Sequence, residues 1–190
     1  YPSCRYSHAA IDGLIELKKE LNFSSEDLDD VDIGLSETAL NIIGYPLNDK
    51  QNPKSIVDGQ FSMPFCAAVT VKSGGLQWDD YKNHLNNSDT LSLCNKIKVS
   101  PDKDAEECCP EYMSAKVKVV VKGKKHEKFV KIPKGEPENF MDDAEFISKF
   151  QGLTEPYLSK QRVDQLTDLM LKMDKANNVN SIFEYSQIDI

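Results

Sequence analysis

The sequence predicts an α+β domain with a small mixed sheet and a hairpin, followed by a run of helices alone. Three observations lead there. Apolar and polar residues alternate over 31–35 and again over 115–132, the pattern of half-buried strands. Stretches with helical spacing lie before and between these strands in irregular order, which is the α+β arrangement. Beyond Gly135-Glu136-Pro137-Glu138-Asn139 only helical periodicity remains, which divides the chain into 1–138 and 139–190.

The elements follow in order. Pro2 fixes one backbone angle and biases Tyr1 toward an extended conformation. Ser3 or Ser7 can cap the helix that runs to about Leu21, with His8, Ile11, Ile15 and Leu21 near one face. A polar, acidic connection covers 22–30, and 31–35 is the first strand. Ser36 starts a short helix over 37–43, ended by Gly44. Pro46, Asn48, Asp49, Asn52 and Pro53 make 45–54 a loop. Ser62 is an N-cap with Pro64 tolerated in the first turn, and 65–71 is a buried helix ending near Gly74-Gly75. Short helices are expected over 78–85 and 90–94, a short strand over 96–99, and an acidic loop over 101–111. A hairpin joins 115–122 to 128–132 through Gly123, with Val117, Val119 and Val121 inward. Helices then cover 142–150 and 159–175, the second striped by Val163, Leu166, Met170 and Met173. Residues 182–185 form a last short helix.

Charge narrows the partners. The net charge is −8, and no basic stripe is visible, which argues against nucleic acid. The lysines between Lys116 and Lys131 alternate with Val and Phe, as on the solvated face of a strand pair. A polyanionic ligand therefore needs a local cationic pocket. Five cysteines without a C-x-x-C pair point to a reduced compartment, and the adjacent Cys108-Cys109 does not make a metal site. No apolar run is long enough to span a membrane. A cytoplasmic location is expected.

Polar chemistry concentrates in Tyr1-Pro2-Ser3-Cys4-Arg5-Tyr6-Ser7-His8. The start of a helix attracts anions through its open N–H groups and partial positive charge. Arg5 adds a full charge and a fork that fits a carboxylate. His8 can move a proton near neutral pH. The same residues also suit a packed histidine and a surface arginine. Gln60 and Ser62, at the mouth of the second helix, suit hydrogen bonding to carboxylate or hydroxyl oxygens.

The octapeptide and its continuation Ala9-Ala10-Ile11-Asp12-Gly13 resemble the MmgE/PrpD family, which includes 2-methylcitrate dehydratase and cis-aconitate decarboxylase. A second block, Ile56-Val57-Asp58-Gly59-Gln60-Phe61-Ser62-Met63-Pro64-Phe65-Cys66-Ala67-Ala68, is similar to the family's second lid motif. A third, Pro133-Lys134-Gly135-Glu136-Pro137-Glu138-Asn139 with Phe146 to Phe150 after it, is similar to the family's return from the lid to its helical domain. The blocks occur in family order and span nearly the whole chain.

The resemblance implies a lid domain over 1–138 and, over 139–190, C-terminal helices of an all-helical domain. Most of that helical domain is expected before Tyr1, on an N-terminal half or a companion polypeptide that would cover the Ser159–Lys175 stripe. It further implies a lyase acting on small di- or tricarboxylic acids without metal or organic cofactor, here a carbon–oxygen lyase like 2-methylcitrate dehydratase of propionate catabolism. The full enzyme is expected to be a homodimer. In the implied site His8 is catalytic, Ser3, Cys4 and Arg5 bind a carboxylate, and Gln60, Ser62 and Phe65 line the facing wall. Three departures stand out. The family's Lys just before the Pro2 position falls outside this sequence. Decarboxylating members tend to carry His where Cys4 stands, and Tyr is frequent where Phe65 stands. A related decarboxylase or epimerase, or an inactive lid-like subunit, are the alternatives.

Overall fold

A computed structural model describes residues 1–176 and 178–188. The chain forms two compact units, Tyr1–Phe140 and Met141–Ile190.

The first unit is a sheet whose apolar face is covered by helices. Helix α1 (His8–Leu21) buries Ile11, Leu14 and Leu17 and stops at Asn22, whose left-handed backbone (φ 48°) lets its N–H reach the Lys18 carbonyl. Strand β1 (Leu28–Leu35) follows. Helix α2 (Met63–Ser73) is buried nearly all round and ends at Gly74 (φ 79°). Helix α3 (Ser88–Cys94) leads into strand β2 (Ile97–Pro101). Strands β3 (Ala115–Val121) and β4 (Lys124–Val130) complete a four-stranded sheet in the order β2-β1-β3-β4. The β1–β2 pair is parallel and the other two are antiparallel, so the sheet is mixed, as expected.

Register decides the two faces. Val31 stands opposite both Ile97 and Val119, and Ile33 opposite both Val99 and Val117. These side chains are buried, on the face that α1 and α2 cover. At Gly13 α1 lies tightly against β3, since a Cβ there would sit 3.0 Å from Val117 Cγ2. The other face carries a solvated charge ladder: Lys98 on Asp30 at 2.8 Å, Ser100 on Asp32 at 3.0 Å, and Lys118 near Asp32 at 3.7 Å. Within the lysine cluster of the sequence, Lys116, Lys118, Lys122 and Lys128 each pair with a carboxylate.

Several elements differ from expectation. β1 starts at Leu28, with a register shift between Leu28 and Asp30. Residues 37–44 form one α-turn, Glu37–Ala39, and then a wider π-turn, Leu40–Gly44. The 45–54 loop contains a helix, Leu47–Gln51. The acidic 101–111 loop contains another, Lys103–Cys108, because Asp102 caps it by accepting the N–H groups of Asp104 and Ala105. β4 starts at Lys124 rather than Lys128. The two-residue turn Lys122-Gly123 (φ 49° and 75°) is so tight that pairing resumes at once, Val121 with Lys124.

In the second unit, helix α4 (Asp143–Thr154) starts with a capping box in which Asp142 and Glu145 each accept the other's backbone N–H. Helix α5 (Lys160–Leu171) and helix α6 (Asn180–Tyr185) follow. Of the anticipated stripe, Val163 and Leu166 are buried, while Met170 and Met173 are 45% and 48% exposed. α5 ends at Leu171, so Met173 sits in a separate 3₁₀ turn. An apolar cavity of about 360 Å³ lies in this unit, lined by Phe150, Leu153, Tyr157, Leu166, Met170 and Ile182 among others. Among the described residues no helix is long and apolar enough to cross a membrane.

Candidate substrate site

The N-terminal segment is tied to the second sequence block. Pro2 carbonyl oxygen accepts from Tyr81 Oη at 2.9 Å and from Gln60 Nε2 at 3.1 Å. The Cys4 N–H donates to the Gln60 carbonyl at 2.9 Å. Tyr81 is buried against Phe65, their rings stacked 5.9 Å apart. Burial raises the Tyr81 phenol above its ordinary range, so it stays a donor.

The third block closes from the other side. Lys134 N–H donates to Asp12 Oδ2 at 2.7 Å, and Tyr1 Oη donates to Asp12 Oδ1 at 2.5 Å. Burial raises the Asp12 pKa above the usual carboxylate range, against the lowering effect of the Tyr1 and Lys134 bonds. Arg5 Nε donates to Glu136 Oε1 at 2.8 Å, and Arg5 Nη2 contacts the same oxygen. Three blocks, the outer two more than a hundred residues apart, therefore meet around Tyr1–His8.

His8 opens α1, just after a 3₁₀ turn over Arg5–Ser7. Its Nε2 lies 3.2 Å from the Ser3 carbonyl oxygen. A carbonyl only accepts, so Nε2 carries the proton in this contact. The Tyr1 ring stands edge-on to His8 with centroids 5.3 Å apart. Arg5 and His8 are three residues apart on a helical path, which places them on one side. Ser3 and Ser7 hydroxyls lie 2.8 Å apart, and Ser7 Oγ donates to the Cys4 carbonyl at 2.7 Å. The Cys66 thiol is buried beside this serine pair, pushed up to about 12 by burial, and is protonated at neutral pH.

Four expectations need correcting. Ser7 does not cap α1 through its side chain; the hydroxyl turns back to Cys4 instead. The Cys4 N–H is committed to Gln60 and is not offered to a ligand. Ser62 is fully buried; its hydroxyl accepts the Phe65 N–H at 3.0 Å and donates to the Lys50 carbonyl. Phe65 is also fully buried, and it supports Tyr81 rather than facing outward. Ser3, Arg5, His8 and Gln60 remain as groups near the surface of the cluster. A cavity of about 660 Å³ flanks the second block, lined by Lys50, Lys54, Val57, Asp58 and Phe61 among others, but not by Arg5 or His8. Among the described residues no group of three or more His, Cys, Asp or Glu could hold a metal ion.

Sequence reasoning does not mark Tyr1, Asp12, Tyr81 or Glu136 as site residues. Asp12 carried a signal, being the one charge within the otherwise apolar run Ala9 to Leu14. Tyr81 and Glu136 carried none, because their partners are distant in the chain.

The fold and the cluster define an α+β domain whose polar face is gathered at the start of its first helix. The family model of the MmgE/PrpD C-terminal domain matches residues 1–174. The chain belongs to the MmgE/PrpD family, whose members are generally lyases or related enzymes. No curated protein matches it.

Proposed function

We propose that this chain is the C-terminal part of a cofactor-independent lyase that removes water from a small 2-hydroxy di- or tricarboxylic acid, in the manner of 2-methylcitrate dehydratase. One observation carries the reading: the three family blocks converge on Tyr1–His8, where Arg5 already engages a carboxylate, that of Glu136. Eliminating water needs a base for the proton beside a carboxylate and an acid for the leaving hydroxyl. It also needs fixed positive charge for the carboxylates. His8 transfers or orients the proton. Arg5 binds a substrate carboxylate, with Ser3 and Gln60 beside it. Ser62 and Phe65 act behind the surface, holding α2 and Tyr81. The charge of −8 makes this local cation the attractive feature for an acid.

The remaining acid–base groups belong, in this proposal, to an all-helical half on the same or a companion polypeptide, in a cytoplasmic homodimer. The half-exposed Met170 and Met173 support such a companion. Covering an apolar side chain of that size is worth about 1.5–3 kcal/mol. The test is an assay of the native full-length protein with 2-methylcitrate, citrate and cis-aconitate, following absorbance of the unsaturated acid. His8→Ala should lower turnover by about 10²–10⁴. An unchanged rate removes His8 from the mechanism, and no turnover of any of these acids removes the proposal.

A further inference from the structure

We propose that Glu136 is a positioning residue that grips Arg5 by one edge of its guanidinium and so presents the other edge to a ligand carboxylate. The inference rests on the polycarboxylate reading above and adds to it a residue from the third block.

A guanidinium has two edges that can each meet a carboxylate in parallel: Nε with one Nη, and the two Nη atoms together. In Arg5 the first edge is taken. Nε and Nη2 both point to Glu136 Oε1. Nη1 has no partner among the described residues, and the second proton of Nη2 lies on the same end. The Arg5 side chain is 54% exposed and that of Glu136 only 19%. The carboxylate is the fixed member and the guanidinium end faces outward.

Glu136 is fixed for visible reasons. Gly135 adopts φ 100°, which turns the chain sharply. Gly135 N–H donates to the Asn139 carbonyl at 2.9 Å, and Asn139 N–H donates to the Glu136 carbonyl at 3.0 Å. Asn139 Nδ2 donates to the Ile132 carbonyl at 2.9 Å. Lys134 N–H is held by the buried Asp12 carboxylate of α1, the helix that Arg5 precedes. The same helix thus anchors both partners of the ion pair. An arginine held this way loses less rotamer freedom on binding than a free one. The opposite role is also defined by the geometry: a Glu136 that competed with the ligand for Arg5 would weaken binding, and its removal would tighten it.

Citrate binding to the native full-length protein, measured by isothermal titration calorimetry, separates these roles. The variants are Glu136→Gln, Arg5→Gln and the double variant, each checked for an unchanged thermal transition. Glu136→Gln should raise Kd roughly tenfold, the scale of one lost charge-assisted contact. In the Arg5→Gln background the same change should do nothing further, because Glu136 acts only through Arg5. Glu136→Asp should recover part of the affinity. Unchanged or tighter binding in Glu136→Gln overturns the positioning role. So does an equal loss in the Arg5→Gln background, which marks a general structural effect. Wild-type protein that binds no citrate overturns the polycarboxylate reading and this inference with it. Binding that Arg5→Gln abolishes and Glu136→Gln leaves intact sinks the role of Glu136 alone.

Discussion

Asp12 Oδ2 accepts the backbone N–H of Lys134 at 2.7 Å, across 122 residues of chain. Its other oxygen holds Tyr1. One buried carboxylate therefore fastens the N-terminal segment, the first helix and the turn that carries Glu136. The site is a consequence of this clasp more than of the octapeptide alone.

Replacing Asp12 tests the clasp. Asp12→Ala leaves the Lys134 N–H and Tyr1 hydroxyl without their acceptor and should cost about 1–3 kcal/mol in urea unfolding. Asp12 also makes a pH prediction. Burial raises its folded pKa above the ordinary 3.8, so between those two values the native state binds more protons than the unfolded one. Stability from this group is full below 3.8 and declines as pH rises through the raised value. Asp12→Asn should remove that decline; a wild-type slope in the variant would show that another group is responsible.

His84 gives the opposite slope. Its Nδ1 lies 2.7 Å from Thr90 Oγ1 and its Nε2 3.1 Å from Ser73 Oγ. Desolvation lowers its pKa below 6.5, with Asp80 pulling the other way and Lys72 adding to the lowering. Below 6.5 the unfolded chain takes up a proton that the native site resists, so stability falls as pH drops from 6.5 through the lowered value. Denaturant midpoints across that window should fall in the wild type and flatten in His84→Gln. Equal slopes in both would exclude His84.

Ser62 is a cap as well as a family-block residue. Ser62→Ala leaves the N–H of Phe65 and the carbonyl of Lys50 unbonded below the surface. The expected loss is about 1–2 kcal/mol, read as a lower urea midpoint with the slope unchanged. A neutral result would mean that both groups find other partners.

The Lys122-Gly123 turn offers a gain. Lys122 holds φ 49°, a region that Asn occupies more readily. Lys122→Asn should stabilise the protein by about 0.5–1 kcal/mol. Its exposed ion pair with Asp27 contributes little to offset this. A lower melting temperature in the variant would contradict the assignment of strain to that residue.

Much of the architecture was legible locally. The period-two run of Val117, Val119 and Val121 is a strand with those residues inside, as read. Ser62, Pro64 and Gly74 mark α2 at both ends through capping chemistry that acts within one turn. Other elements were hidden. Asp102 caps a helix inside a stretch whose acidity reads as loop. The start of β1 at Leu28 reflects pairing with Val121, a partner 93 positions away. The site was legible only in part, because residue type says what Arg5 and His8 can do but not what else holds them.

By itself, the sequence determined what depends on neighbours within a few positions: the helix and strand periods, the Ser62 cap, the charge balance and the family's three blocks in order. Tertiary structure alone decided which polar groups are already spent. The Cys4 N–H goes to Gln60, the Ser62 hydroxyl to Lys50 and Phe65, and one edge of Arg5 to Glu136. The physical reason is that a buried donor or acceptor must find a partner wherever the folded chain brings one, and that partner's distance along the sequence is fixed by no local rule.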